Sequence, residues 1–235
     1  MYWFYWEDNG QTPEIIIKII HLIKKYLTNY VIVNNKTIHK YISVVDTSHL
    51  EHIAQKVDYY RAKLLYTYGG IWLDMDTIIL DNLDYLYREL QKSDKEVMIS
   101  ISELTSSLPN VCLGYLISKP RSSIFKMWYE SMETVILDKQ NIPYAMFGYQ
   151  LATIINEQHL VDTILPFPNN ITFRFGGRNY QKYYSTDSTF IKKTIDKIKQ
   201  NNYKLIILYG SAGMYYRKIN TNSMLFEMFK YANNK

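Results

Sequence analysis

The sequence predicts a single α/β domain, in which a central sheet is flanked by helices, over residues 1–235. Two observations carry this prediction. The chain opens with strand-like residues 1–6, a helix with an apolar stripe, and a second strand at Tyr30–Val33, which together form the β-α-β unit that begins many nucleotide-binding sheets. Further on, Ile71–Leu73 is a run of bulky apolar residues, which is typical of a buried central strand.

The bulk composition narrows the class of protein. The hydrophobic fraction is 47%, with four Trp and 23 Tyr, so the chain has ample material for a core and is not a disordered protein. The formal net charge is +5, and it is spread along the chain rather than gathered in one run. This distribution favours an ordinary solvated surface over nucleic-acid binding.

The cysteine content and the hydropathy of the chain indicate in which cellular compartment we expect the protein. Cys112 is the single cysteine, which excludes an internal disulfide and favours a reducing environment. The aromatic start over residues 2–6 is too short for a signal peptide and has no basic leader, and no apolar run approaches the roughly 18 residues needed to cross a bilayer. We therefore expect a cytoplasmic protein without a transmembrane segment, and its oligomeric state stays open.

The stretch from Lys56 to Asp84 carries the strongest chemical signal. Asp74 and Asp76 follow the predicted buried strand, and residues two apart in extended backbone project to the same side. Two neighbouring carboxylates repel each other, and a bound cation offsets that cost. Because Mg²⁺ and Mn²⁺ prefer oxygen ligands, this pair is a candidate metal site, although an isolated Asp-x-Asp more often lies in a solvated loop.

A second candidate pair precedes it. Asp58 and Arg61 lie three residues apart on a predicted helix and therefore share a face. They form either a surface ion pair worth about 0.3–0.5 kcal/mol or part of the same pocket as the acidic pair. The pattern from Ser48 to Glu51 predicts that this helix begins with a capping box there.

These residues together resemble the signature of the DxD sugar-transferase family, which includes capsular-polysaccharide transferases, fungal Golgi mannosyltransferases and large glucosylating toxins. The matching residues are Asp58-Tyr59-Tyr60-Arg61, Leu65-Tyr66 and Tyr68-Gly69-Gly70-Ile71-Trp72-Leu73-Asp74-Met75-Asp76. The resemblance implies a GT-A fold, with a Rossmann-like mixed sheet, a nucleotide-sugar donor and a Mn²⁺ or Mg²⁺ ion on its diphosphate. It also implies a nucleotide-sugar-binding half at residues 1–80 and an acceptor-side half at 81–235.

The resemblance also implies roles for individual residues. Asp58 and Arg61 would hold the donor, Trp72 would line its pocket, and Asp74 and Asp76 would serve donor and metal, with Arg61 aiding catalysis. Three further assignments are looser: Trp6 stacks on the base or is plain core, and Asn110 and Gly114 contact the donor sugar. Many GT-A enzymes take a third metal ligand from the late chain, often His; no His follows His159 here, so Ser211 or water would fill that place.

The acceptor side is less defined. Tyr149 and Gln150 are candidates because Gln150 is able to hydrogen-bond a hydroxyl group. The Tyr-rich segment 173–184 is predicted to be a loop whose aromatic residues suit sugar rings and which closes over the donor as a lid. The lysine-rich helix over 189–200 has either a solvated face, which we favour, or a membrane-surface face.

Three functions compete. The leading one is metal-dependent, retaining transfer of a sugar from a UDP- or GDP-sugar to a hydroxyl of a glycan or other acceptor. The second is a haloacid-dehalogenase-type phosphatase, because Asp74-Met75-Asp76-Thr77 matches its D-x-D-x-T start. That motif should open its domain, however, and here about a third of the chain precedes it. The third is a non-catalytic module that binds sugar nucleotides or glycans.

Overall fold

The computed structural model describes residues 1–7, 10–102, 110–139, 142–175, 177–208 and 217–235. The strands are β1 (Tyr2–Tyr5), β2 (Tyr30–Val33), β3 (Gly70–Leu73), β4 (Thr77–Ile79), β5 (Val97–Ser102), β6 (Asn110–Ser118), β7 (Ile164–Pro166), β8 (Thr172–Arg174) and β9 (Leu205–Ile207). The helices are α1 (Glu14–Tyr26), α2 (Ile53–Tyr68), α3 (Asp84–Lys92), α4 (Ser123–Leu137), α5 (Met146–Glu157), α6 (Ser188–Gln200) and α7 (Met224–Asn234).

The chain divides into two compact units, and both are discontinuous in sequence. The first contains Met1–Glu7, Val31–Leu73 and Asp84–Phe167, and the second contains Asp8–Tyr30, Asp74–Leu83 and Pro168–Lys235. The predicted functional halves, by contrast, meet at residue 80, and that functional division stays a prediction.

The first unit is built on a six-stranded sheet in the order β2-β1-β3-β6-β5-β7. β1 pairs with β3 in parallel, whereas β6 is antiparallel to both β3 and β5, so the sheet is mixed. Helices α2, α4 and α5 pack together beside it. Trp72 and Trp128 are fully buried in the resulting core. The predicted fold class, a mixed sheet flanked by helices, is confirmed.

The second unit has a three-stranded sheet in the order β4-β9-β8. β4 is antiparallel to β9, while β8 is parallel to it. The apolar stripe of α1 is buried as its period predicts, and the helix end is tied to α7, because the Tyr26 hydroxyl donates to the Ala232 carbonyl at 2.6 Å. Lys25 reaches the same carbonyl at 3.2 Å. The unit thereby joins sequence-distant helices around a small sheet.

Two local predictions were wrong. Helix α2 begins at Ile53, with a capping box between His52 and Gln55, rather than at Ser48. The Ser48 N–H donates instead to the Asp46 carboxylate at 2.9 Å, a local turn that competes with helix initiation. The segment predicted as a loop contains β8 and a 3-10 helix at Gly177–Tyr184.

The Gly69-Gly70 turn links α2 to β3 through backbone that disfavours a side chain. Gly69 has φ of 64° and Gly70 of 101°. A Cβ on Gly69 would lie 2.6 Å from the Ser118 carbonyl oxygen, and one on Gly70 would lie 2.5 Å from the Met1 carbonyl oxygen. The Gly69 carbonyl also accepts a hydrogen bond from the Trp3 indole at 3.0 Å. This turn therefore fixes how the helix meets the sheet.

Replacing Gly70 by alanine should lower the free energy of unfolding more than the same substitution at Gly10, which has the same φ. Gly10 also has φ of 101°, but apart from its chain neighbours no residue that the structure describes has an atom within 4 Å of its Cβ position. We expect Gly10→Ala to cost about 1–3 kcal/mol for backbone strain and Gly70→Ala to cost a further 1–3 kcal/mol, roughly, for overpacking. Urea denaturation of the two variants measures the difference, and equal losses would contradict the close approach to Met1.

Candidate active site

Asp58 and Arg61 form a buried ion pair on α2. Arg61 Nη2 lies 3.1 Å from Asp58 Oδ1, and the residues are only 4% and 7% exposed. The i, i+3 spacing on the helix brings the two side chains to one face, as predicted. The ion pair is therefore buried and not on the surface, while the other alternative, a pocket shared with the acidic pair, stays a prediction. Burying two charges costs desolvation free energy that is comparable to the attraction between them. The pair therefore contributes little net stability, and a functional role is a reasonable hypothesis.

Arg61 is held by two further contacts from the sheet. Its Nη1 donates to the carbonyl of Leu113 on β6, and its guanidinium carbon lies 5.1 Å from the centre of the Trp72 ring on β3. Trp72 has no exposed surface. In this conformation the indole supports the guanidinium by a cation–π contact instead of presenting a face to solvent. The first unit thus positions Arg61 from a helix and from two paired strands.

The acidic pair lies in the turn that follows β3. Asp74 and Asp76 are both partly exposed, while Met75 between them is buried. This alternation is compatible with two carboxylates on the same side of the backbone, and their joint role at one cation stays a prediction. In the second unit the Leu208 N–H donates to the Asp76 carbonyl at 2.8 Å, and Thr77 pairs with Ile207 in the β4–β9 ladder. The main chain at Asp76 is therefore fixed by β9.

The chemistry of Asp74 and Asp76 fits Mn²⁺ or Mg²⁺. Carboxylate oxygens are hard donors, and Mg²⁺ is commonly held by one or two carboxylates plus substrate phosphates. Partial exposure of both residues leaves them accessible to such a substrate. Across the described residues, no group of three or more His, Cys, Asp or Glu is placed to hold a metal ion. A two-carboxylate site that the substrate completes is compatible with that finding.

A polar cluster that the sequence did not predict lies beside Trp6, where β1 and β2 end. The Trp6 N–H donates to the Val33 carbonyl at 3.0 Å, and the side chain of Trp6 is partly exposed. The Tyr5 hydroxyl donates to Glu7 Oε2 at 2.6 Å, and the Asn35 N–H donates to the same oxygen at 3.0 Å. Burial and the contact with Glu7 raise the pKa of Tyr5 well above its usual value.

The predicted sugar-side residues lie on or beside β6. Asn110 is the first residue of that strand, and Gly114 follows Leu113, whose carbonyl binds Arg61. A Cβ on Gly148 of α5 would lie 3.3 Å from the Leu113 side chain, so α5 approaches the strand at this point. The stretch around Gly114 is therefore next to the buried ion pair.

Tyr149 and Gln150 line an open groove on α5. Tyr149 is 64% exposed, and Gln150 Oε1 is buried without a hydrogen-bond partner among the described residues. The groove measures about 530 Å³ and also includes Ser131 and Pro143. The assignment of both residues to the acceptor side stays a prediction. Ser211, the predicted third metal ligand, lies outside the described residues.

The fold agrees with known sugar transferases. The galactosyltransferase LgtC, solved with donor and acceptor sugar analogues, aligns over 99% of this chain and 95% of its own, with 12% identity and a TM-score of 0.51. Glycosyltransferase GlyE of Streptococcus pneumoniae TIGR4 aligns over 98% of this chain and 59% of its own, with 12% identity and a TM-score of 0.54. These similarities define a GT-A glycosyltransferase fold, as predicted.

The family follows from the sequence match. The model of the capsular polysaccharide synthesis protein family matches residues 1–219, and the chain belongs to that family. A comparison with curated proteins finds no match. Family and fold together confirm the predicted class, a glycosyltransferase, and favour it over the phosphatase alternative. No helix in the described part of the chain combines the length and apolar character that crossing a bilayer requires.

Proposed function

We propose that the chain is a metal-dependent, retaining glycosyltransferase that moves a sugar from a nucleoside diphosphate sugar to a hydroxyl group of a growing glycan. The observation that carries the proposal is the turn after β3, where Asp74 and Asp76 are partly exposed and Met75 is buried. The match to the capsular polysaccharide synthesis family supports the glycan as acceptor. The retaining outcome rests on the resemblance to the DxD sugar transferases.

In this proposal Asp74 and Asp76 hold Mn²⁺ or Mg²⁺. When bound, the ion acts as a Lewis acid that neutralises charge on the departing diphosphate. The bond between the anomeric carbon and the phosphate oxygen breaks, and the acceptor oxygen bonds to the same face of that carbon. The acceptor hydroxyl gives its proton to the departing phosphate oxygen, so no protein base is needed, and its direct attack on the same face requires no protein nucleophile.

Arg61 supplies a fixed positive charge for the donor. Its contacts with Asp58, Leu113 and Trp72 hold the guanidinium in place before the donor binds, and a preorganised charge costs no reorganisation during the reaction. We assign Asp58 and Trp72 as positioning residues for Arg61. Asp58 also remains a candidate for a hydrogen bond to the donor, as the family resemblance implies.

Donor recognition begins at the ends of β1 and β2. Any nucleobase presents a π-face, which suits stacking on Trp6. Glu7 is held by Tyr5 and Asn35 and is partly exposed, so its carboxylate is available to accept from an N–H on the edge of the base. On the sugar side, Asn110 and Gly114 remain candidates for contact with the donor sugar.

Nucleotide release from a panel of donors tests the proposed function. We expect slow hydrolysis of one UDP- or GDP-sugar in the presence of Mn²⁺, faster release when a suitable glycan is added, and no release after chelation. Release of phosphate from an aryl phosphate instead would favour the phosphatase. Donor binding without any turnover, with or without glycans, would favour the non-catalytic module.

A further inference from the structure

We propose that Tyr180, Tyr184 and Arg217, here called the arginine platform, bind an acidic sugar residue of the acceptor. The Arg217 guanidinium carbon lies 5.0 Å from the centre of the Tyr184 ring and 5.8 Å from that of Tyr180. The inference rests on the proposed function, since it names the acceptor class of the same reaction.

The arginine platform is held in place by a buried residue, Tyr183. Between its two tyrosines, Tyr183 has no exposed surface and donates its hydroxyl hydrogen to the carbonyl of Ile207 on β9. The Phe175 N–H donates to the Tyr183 oxygen at 3.2 Å, and the Phe175 and Tyr183 rings are 4.7 Å apart. The short 3-10 helix at Gly177–Tyr184 is therefore held against the sheet, which presents Tyr180 and Tyr184 in fixed positions.

The charge of Arg217 is available to a ligand. The residue is exposed, and in the part of the chain that the structure describes no carboxylate forms an ion pair with it. The guanidinium has five N–H donors in a planar fork that matches a carboxylate in bidentate geometry. The tyrosine rings offer apolar faces against which the C–H face of a pyranose ring packs. A uronic acid presents both features in one residue.

The location of the platform within the second unit fits an acceptor role. Tyr183 binds the Ile207 carbonyl, and the next residue of the chain, Leu208, donates its N–H to the Asp76 carbonyl at 2.8 Å. The anchor of the platform and the proposed metal-binding turn are thus fixed to the same end of β9. These bonds to consecutive residues of the second unit support the assignment of the platform to the acceptor.

Binding of trigalacturonate to the full chain tests the proposal, with its fully methyl-esterified form as the neutral probe. Titration calorimetry should show about 10–100-fold tighter binding of the acid, the range expected for charge-assisted hydrogen bonds. Arg217→Gln should remove this preference. The matched control is Lys218→Gln, which deletes an exposed neighbouring charge and should keep the preference within about twofold. Tyr184→Ala should weaken the binding of both probes, whereas Tyr184→Phe should leave the binding of both unchanged.

The outcomes separate this proposal from the proposed function. Equal affinity for the two probes, no binding of either, or the same loss in Lys218→Gln would overturn the arginine platform. A parallel titration with the nucleotide sugar and Mn²⁺ distinguishes the source of the anion: if Arg217→Gln weakens donor binding as strongly, the guanidinium serves the donor diphosphate and the acceptor assignment is wrong. Binding of trigalacturonate requires no turnover, so the titration still tests the arginine platform if no nucleotide release is detected.

Discussion

Asp76→Asn should lower glycosyl transfer by about 10³-fold or more while leaving the fold intact. The substitution removes one of the two proposed metal-binding carboxylates. A loss of about 4 kcal/mol of transition-state stabilisation, within the range of a Lewis-acid contribution, corresponds to three factors of ten in rate. The fold should survive because Leu208, the residue after β9, holds this position through the Asp76 main-chain carbonyl, which asparagine retains.

The control for this prediction is Asp94→Asn, which removes a carboxylate whose side chain is 82% exposed. It should match the unmodified chain in both activity and melting temperature. Asp74→Asn should resemble Asp76→Asn. If Asp76→Asn retains full turnover in the presence of Mn²⁺, the proposed metal role of the acidic pair is wrong.

Arg61→Met should be the most destabilising substitution at the site, by about 3–5 kcal/mol, because it removes the guanidinium that the buried Asp58 carboxylate contacts at 3.1 Å. It also leaves the Leu113 carbonyl without this donor. Chemical denaturation followed by tryptophan fluorescence measures the loss. The same variant should lose donor turnover.

A double variant separates the ion pair from simple packing. Asp58→Leu combined with Arg61→Met replaces both charges by apolar groups and should be more stable than Arg61→Met alone, because the buried carboxylate is removed together with the guanidinium that it contacts. A cost below about 1 kcal/mol for Arg61→Met would indicate a solvent-screened pair and would contradict the observed burial.

The parts of the site that depend on local spacing were predictable. Asp58 and Arg61 share a helix face because they are three residues apart. The Gly69-Gly70 turn is likewise local, because its positive φ values favour glycine. The roles assigned to these residues came from the resemblance to a family, not from geometry.

The remaining parts depend on contacts between distant segments. The Leu113 carbonyl that binds Arg61 is a main-chain acceptor, and the identity of its residue gives no signal for it. Glu7 meets Asn35 across 28 residues, and Arg217 reaches Tyr184 from outside the predicted loop. The strands β4, β8 and β9 have three residues each, too few to show a period. The short strands and the polar contacts between distant residues therefore could not be predicted from the sequence.

The most direct test of the proposed function is a crystal structure with Mn²⁺ and a non-hydrolysable analogue of the hydrolysed donor, with anomalous scattering used to locate the metal. We predict one manganese peak within coordination distance of Asp76, shared with oxygens of the diphosphate, with Asp74 at the metal or on the donor. A diphosphate bound without manganese at these carboxylates, or manganese bound elsewhere in the chain, would contradict the proposal.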